Sequence, residues 1–317
     1  MGIKRRVLVT GANGYIGAQI VKGLIGLGYE IIAHLRNENE GFLKEFENLQ
    51  MIYGDIIEDS TINQLSELDL DSIIHTISLD HNQSNEAGLK KLNDINVHAT
   101  WRLLEANSQK KVKFIYLSTI HVLGRIEDDR IDEASLGFPA NRYGLTHLLC
   151  EDLVDYYAKN YPIDAVSVRL SNGFGSPVFE ENNCWWIVVN DFCRSAIEKG
   201  EIKMSSDGSP VRNFIHLNDI VQGIAILLND EKRGDWNYHL TSHNTYTIME
   251  TAQIVQRVCA EVFNLNVNIS LPDTVKIGKA RPVEKSYPYT RLEQLGYEPT
   301  ITLEKGVEEL IEYLIKQ

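Results

Sequence analysis

Short, continuously apolar runs alternate along the first half of the chain with longer stretches whose apolar positions recur every three or four residues. Val7–Thr10, Ile31–Leu35, Met51–Tyr53, Ser72–Thr76, Phe114–Ser118 and Ala165–Leu170 are the runs. Unbroken apolarity, rather than alternation, is what strands covered on both faces require. Ile16–Leu27, Asn96–Asn107 and Tyr143–Tyr157 carry the helical period between them. Strand and helix taking turns in this way predict an α/β fold with a doubly wound parallel sheet over residues 1–172. After about Asn172 the alternation loosens. Helices are expected at Trp186–Lys199, Asn218–Asn229, Thr247–Phe263 and, after Pro299, at Leu303–Ile315. These predict a smaller C-terminal lobe over 173–317, with a segment at about 211–242 returning to the first domain.

Composition narrows the function. The 317 residues are 43% apolar, enough for a buried core, and carry 31 basic against 44 acidic side chains, a net charge of −13. So acidic a chain is a poor general binder of nucleic acid or of anionic membranes, and neither is expected as a partner. No run of 18 apolar residues occurs, so no membrane span is expected. Met1–Arg6 leads straight into a strand pattern, so no secretion leader is read there. Cys150, Cys184, Cys193 and Cys259 form neither a CxxC pair nor a ligand spacing with His. They read as thiols of a reduced, cytoplasmic compartment, with no metal site.

The strongest local signal is Val7-Leu8-Val9-Thr10-Gly11-Ala12-Asn13-Gly14-Tyr15-Ile16-Gly17. A strand runs into three glycines spaced three apart, and a helix starts in the loop. Gly11 permits the tight turn, Gly14 lets backbone approach a pyrophosphate, and Gly17 lets the helix pack on the sheet. The helix N-terminus offers free N–H groups and partial positive charge to phosphates. A Gly-rich turn alone would be ambiguous; at the first strand–helix junction of an alternating chain it reads as a Rossmann-type dinucleotide site. Gly11, Asn13, Gly14, Tyr15, Ile16 and Gly17 are its expected cofactor contacts. The second strand ends Leu35-Arg36, where an acidic residue would bind a free ribose 2′-hydroxyl and an Arg suits a 2′-phosphate. NADP(H) is therefore favoured, with NAD(H) as the alternative.

The Gly-x-x-Gly-x-x-Gly spacing resembles that of the extended short-chain dehydrogenase/reductases, which include nucleotide-sugar epimerases, dehydratases and ketoreductases. The resemblance runs the length of the chain, to Leu295-Gly296-Tyr297-Glu298-Pro299. It implies that Asp55 and Ile56 lie by the adenine and that Thr76 passes under the cofactor. Ser118-Thr119-Ile120-His121-Val122-Leu123-Gly124 resembles the family's fifth strand, with Thr119 in place of the hydroxyl that bonds the reacting sugar oxygen and His121 beside the substrate. Tyr143-Gly144-Leu145-Thr146-His147, with Glu151 beyond, resembles its Tyr-Gly-x-Ser-Lys motif. Tyr143 is then the acid/base and His147 stands where the family has Lys. The two are four apart and share a helix face. A His is cationic only part of the time near neutrality, so it supports a Tyr phenolate less than Lys does. This favours reduction, in which the phenol acts as acid, over oxidation. The family's 4,6-dehydratases carry Asp-Glu after the Thr; here Ile120-His121 stands there, which argues against dehydration.

The resemblance further places Asn172 at the substrate diphosphate, with Arg212 and Arg281 as phosphate clamps, a geometry guanidinium suits. Cys184-Trp185-Trp186 opens the second lobe, and one of its aromatics is expected in the core. Hydride transfer at C4 of a nucleotide-activated sugar, as a 4-ketoreductase, is the expected function. The alternatives are a 4-epimerase with tightly bound NAD and a non-catalytic dinucleotide-binding sensor or scaffold. A homodimer is expected through the Asn96–Asn107 and Tyr143–Tyr157 helices.

Overall fold

A computed structural model describes residues 5–38, 43, 46, 49–230, 237–272 and 285–317. Twelve strands occur among them: β1 (Arg6–Thr10), β2 (Glu30–Leu35), β3 (Leu49–Tyr53), β4 (Ser72–His75), β5 (Lys113–Thr119), β6 (Asp164–Leu170), β7 (Asn172–Phe174), β8 (Glu201–Lys203), β9 (Val211–His216), β10 (Asn237–Leu240), β11 (Thr245–Thr247) and β12 (Asn268–Ser270). Seven of them form one sheet in the order β10-β6-β5-β4-β1-β2-β3. Every pairing within it is parallel. The six apolar runs are six of its strands; five are buried because helices cover both faces, the edge strand β3 is mostly half-buried, and β10 is a strand the runs did not include. One face packs Ile20, Val21 and Leu24 with Ile220, Ile224 and Leu227. The other packs Leu103 and Leu104 with Cys150, Val154 and Tyr157. The chain reverses direction of winding between β1 and β4, and this switch opens a crevice at the carboxyl ends of the strands.

The helices follow the periodic stretches, with physical reasons for their ends. Arg142–Asn160 begins where Asn141 accepts a hydrogen bond from the Gly144 N–H at 2.8 Å. Ile248–Phe263 opens on a reciprocal cap between Thr247 and Glu250, and Asn264 ends it in the left-handed conformation. The expected Asn96–Asn107 helix starts earlier and is interrupted. It runs as Leu89–Asn93, a widened turn at Asp94–His98, and Ala99–Asn107. Helical period could not reveal the widened turn, because one extra residue per turn is a tertiary adjustment.

The second lobe holds β11-β9-β7 and the pair β12-β8 around a separate core that includes Phe192, Val255, Val258 and Leu310. The returning segment divides more finely than expected. Val211–His216 stays outside the large sheet and pairs with β7 and β11. The helix Leu217–Asn229 then packs on the first core, and β10 joins the large sheet beside β6. Tyr289, Leu292 and Tyr297 also return to that core. The helix expected from Trp186 starts at Val188 instead. Trp185 packs against the second core under Arg194, whose guanidinium lies 5.4 Å from the ring, while Trp186 is exposed along the crevice.

No helix among the described residues is long and apolar enough to cross a membrane. All four cysteines are free and buried.

Candidate active site

The switch-point crevice is a cleft of about 1510 Å³ that extends from the glycine loop between the lobes. Ordinary small-molecule sites occupy roughly 300–1,000 Å³, so there is room for a dinucleotide and a second ligand together. At one end lies the loop. Gly11 has φ +70°, and a Cβ placed on Gly17 would stand 2.1 Å from the Gly11 carbonyl oxygen. The first turn of the Tyr15–Gly26 helix therefore lies directly on the loop, and its N-terminus faces the cleft. That cradle is shaped for a pyrophosphate. The Tyr15 phenol turns away to donate to the Gly175 carbonyl at 2.7 Å, and Asn182 donates to the Asn13 carbonyl at 2.8 Å. Both contacts tie the loop to the second lobe.

Arg36, at the end of β2, is exposed and forms an ion pair of 2.8 Å with Asp55. Asp55 and the buried Ile56 border the same part of the cleft. Thr76 donates to the Thr10 carbonyl at 2.7 Å, which fixes the floor between β1 and β4.

At the other end, β5 and the Arg142–Asn160 helix bring the reactive groups together. A Cβ on Gly144 would stand 2.4 Å from the His121 carbonyl oxygen. Any larger residue would lift the helix off the turn after β5; with glycine there, Tyr143 reaches Thr119. Burial pushes the Tyr143 phenol up to about 12, against the lowering effect of the nearby Thr119 hydroxyl. Thr119 also accepts from the His121 N–H at 3.2 Å. Ser118, next to it, points the other way and donates to buried Glu151 at 2.6 Å. Glu151 is paired in turn with buried Arg169 at 2.8 Å, which locks helix, β5 and β6 together.

His147 lies on the same helix face as Tyr143, their rings 4.6 Å apart and edge-on. Its expected partial charge is corrected by burial, which lowers the imidazole to about 3 and leaves it neutral. Its Nδ1 hydrogen-bonds the Tyr116 phenol at 2.8 Å, while Nε2 is buried with no protein partner. His147 borders the cleft, and an orphaned nitrogen there fits a cofactor hydroxyl.

Reading residues one at a time missed His81, from the short helix His81–Glu86. The rings of Tyr143, His121 and His81 form a near-equilateral triangle with centroid separations of 5.7, 5.9 and 6.3 Å. A lone His after a strand carries no sequence signal; only the packing places it there. His121 is lowered to about 4 by burial and, next, by the charge of Arg212. Arg212 is exposed on the cleft wall, and Asn172 lines it while donating to the Asn213 carbonyl at 2.8 Å. Arg281 lies outside the described residues. Among the described residues no group of three His, Cys, Asp or Glu could hold a metal ion.

A parallel sheet with a glycine-loop cradle at its switch point, and a Tyr–Thr pair at the far end of one cleft, define a dinucleotide-dependent enzyme fold. The model of the NAD dependent epimerase/dehydratase family matches residues 7–240, and the chain belongs to that family. It is similar to human dTDP-D-glucose 4,6-dehydratase, 26% identical over 98% of this chain and 90% of the human protein. Among solved structures it resembles UDP-glucuronic acid 4-epimerase from Bacillus cereus, in complex with UDP-glucuronic acid and NAD. The TM-score is 0.80 at 22% identity, over 98% of this chain and 99% of that one. The UDP-glucose 4-epimerase of Thermotoga maritima, with UDP-glucose, superposes with a TM-score of 0.81 at 21% identity and the same coverage.

Proposed function

We propose that this protein is an oxidoreductase that transfers hydride at C4 of a nucleotide-activated sugar, acting as a 4-ketoreductase. The observation that carries the direction is the setting of Tyr143, where burial and the charge of Asp80 both raise the phenol. Its phenol is held protonated, and the neighbouring His147 brings no charge to stabilise a phenolate. A protonated phenol is the acid that ketone reduction needs, whereas alcohol oxidation needs the phenolate. The reduced dinucleotide supplies the hydride when bound. Tyr143 gives its proton to the ketone oxygen, and Thr119 hydrogen-bonds the same oxygen. Gly11, Asn13, Gly14, Tyr15, Ile16 and Gly17 hold the pyrophosphate, and Nε2 of His147 meets the ribose. Arg212 and Asn172 receive the sugar's diphosphate, with Arg281 as a second clamp.

The 4-epimerase reading is favoured by a different observation: solved neighbours that superpose along almost the whole chain are 4-epimerases. The dinucleotide divides in the same way. Arg36 at the end of β2 favours a 2′-phosphate and so NADPH, while the Bacillus cereus neighbour holds NAD. One experiment tests both pairs. The protein is given a 4-keto nucleotide sugar with NADPH or NADH and, separately, a 4-hydroxy nucleotide sugar with NAD, and absorbance at 340 nm is followed with product analysis. Net loss of absorbance with a reduced sugar supports the ketoreductase. A C4-inverted product from a 4-hydroxy sugar, without net change in absorbance, replaces it with the epimerase. Dinucleotide binding without turnover leaves a sensor or scaffold.

The assembly is proposed to be a homodimer in the cytoplasm. Trp101, Leu145, Leu149 and Tyr156 are all roughly half-exposed on the two adjacent helices Ala99–Asn107 and Arg142–Asn160, an apolar face that pairing would cover. The free thiols agree with a reducing compartment.

A further inference from the structure

If the cleft holds a dinucleotide as proposed, His147 must tether its ribose as a neutral imidazole, without the charge a lysine would bring. We propose that Tyr116 is a positioning residue for His147: its phenol donates to Nδ1, so that the imidazole's single proton sits on Nε2 and is presented to the cofactor's ribose hydroxyls. Tyr116 lies on β5, fully buried, directly under the helix that carries His147. The oxygen-to-nitrogen separation is 2.8 Å.

The direction of the bond follows from the neighbours. Cys150, also against Tyr116, has one thiol proton, and it goes to the Asn96 carbonyl at 3.1 Å. Burial pushes both the thiol and the phenol up, so each keeps its proton. Among the described residues the phenol proton then has two acceptors, a thiol sulfur and the Nδ1 lone pair. The nitrogen is much the better one. With Nδ1 accepting, the neutral ring must carry hydrogen at Nε2. In the opposite arrangement a bare lone pair would face the cleft at Nε2, and the phenol would be left with only the sulfur. A second-layer bond that fixes the tautomer of a functional His is an established device. Here it supplies the tether at the ribose without the charge.

The test uses the full chain labelled with ¹⁵N-histidine, together with NADH and NADPH titrations followed by fluorescence. The wild type should show His147 protonated at Nε2 in its ¹⁵N shifts before any dinucleotide is added. Tyr116→Phe should move those shifts toward an average of the two tautomers. It should also weaken dinucleotide binding about three- to tenfold, the worth of one hydrogen bond. The same substitution made in His147→Lys should cost no further affinity, since a lysine has no tautomer to fix. An equal loss in both backgrounds would mean that Tyr116 merely fills space, and the proposal fails. Protonation at Nδ1 in the wild type overturns it directly. Wild-type protein that binds neither dinucleotide overturns the dinucleotide reading itself, and this inference with it.

Discussion

The ring of His147 meets the ring of Tyr143 edge-on, 4.6 Å between centroids and 70° between planes. Contact this close would normally couple two titrating groups. Here both are held neutral, the imidazole lowered to about 3 and the phenol raised to about 12, in each case chiefly by burial. The consequences are specific.

Between about pH 5 and 9 neither group changes charge. The reductive rate should therefore be flat in that range, with no inflection near the ordinary His value of 6.5. In the oxidative direction the rate should still be climbing at pH 9, because the phenolate is the reactive form. His147→Lys adds a cation beside the phenol and lowers its pKa. Oxidative turnover at pH 8 should rise about tenfold for each unit of that shift. Rate profiles in both directions, for wild type and variant, check this; an unchanged oxidative profile in His147→Lys would sink it.

Tyr143→Phe removes the acid and keeps the ring. Turnover should fall by about 10²–10⁴, while dinucleotide binding stays within a factor of about two. Thr119→Val should lose less, about tenfold, since it removes one hydrogen bond to the reacting oxygen and leaves the proton donor. Steady-state rates and binding titrations separate the two effects. Equal rates in Tyr143→Phe and wild type would point to the scaffold reading.

A buried His whose pKa is depressed penalises folding in acid. Below its unfolded value of about 6.5 the unfolded chain takes up a proton that the folded chain refuses until about pH 3. Stability should therefore fall as pH drops through that window, by about 1.4 kcal/mol per pH unit for this group at full effect. Replacing His147 with Gln should flatten the slope by that amount between pH 6 and 4. Urea unfolding at several pH values measures it. His75 and His239 are lowered to about 3 in the same way, so a slope should persist in the variant.

Glu151 and Arg169 form a buried pair, and Ser118 holds the carboxylate from β5. Arg169→Met leaves the carboxylate buried without its cation and should cost about 3–5 kcal/mol of stability. Chemical denaturation of the single variants is the check. A loss below about 1 kcal/mol would mean that water or a shifted group compensates.

Two glycines of the same helix should respond oppositely to alanine. At Gly17 the new methyl would collide with the Gly11 carbonyl oxygen at 2.1 Å, whereas at Gly26 nothing lies within 4 Å. Gly17→Ala should lower the melting temperature and weaken dinucleotide binding. Gly26→Ala should raise stability by up to about 1 kcal/mol through helix propensity. Thermal melts with and without dinucleotide report both.

The chain's periodicity alone determined the parallel sheet, because strands sandwiched between helices must be apolar on both faces and the helices must be apolar on one. Residue type determined the glycine loop, since glycine suits the positive φ at Gly11 and the close backbone contact at Gly17. The spacing of Tyr143 and His147 put them on one face for the same local reason. What local spacing could not hold is environment. That His147 is neutral depends on burial against Tyr116, a residue 31 positions away, and that His81 joins Tyr143 and His121 depends on a helix from another strand end. The split of Val211–Leu240 between the two sheets was likewise settled by strand partners distant in sequence. Charge state and convergence are properties of neighbours in space, and only the tertiary structure chooses those neighbours.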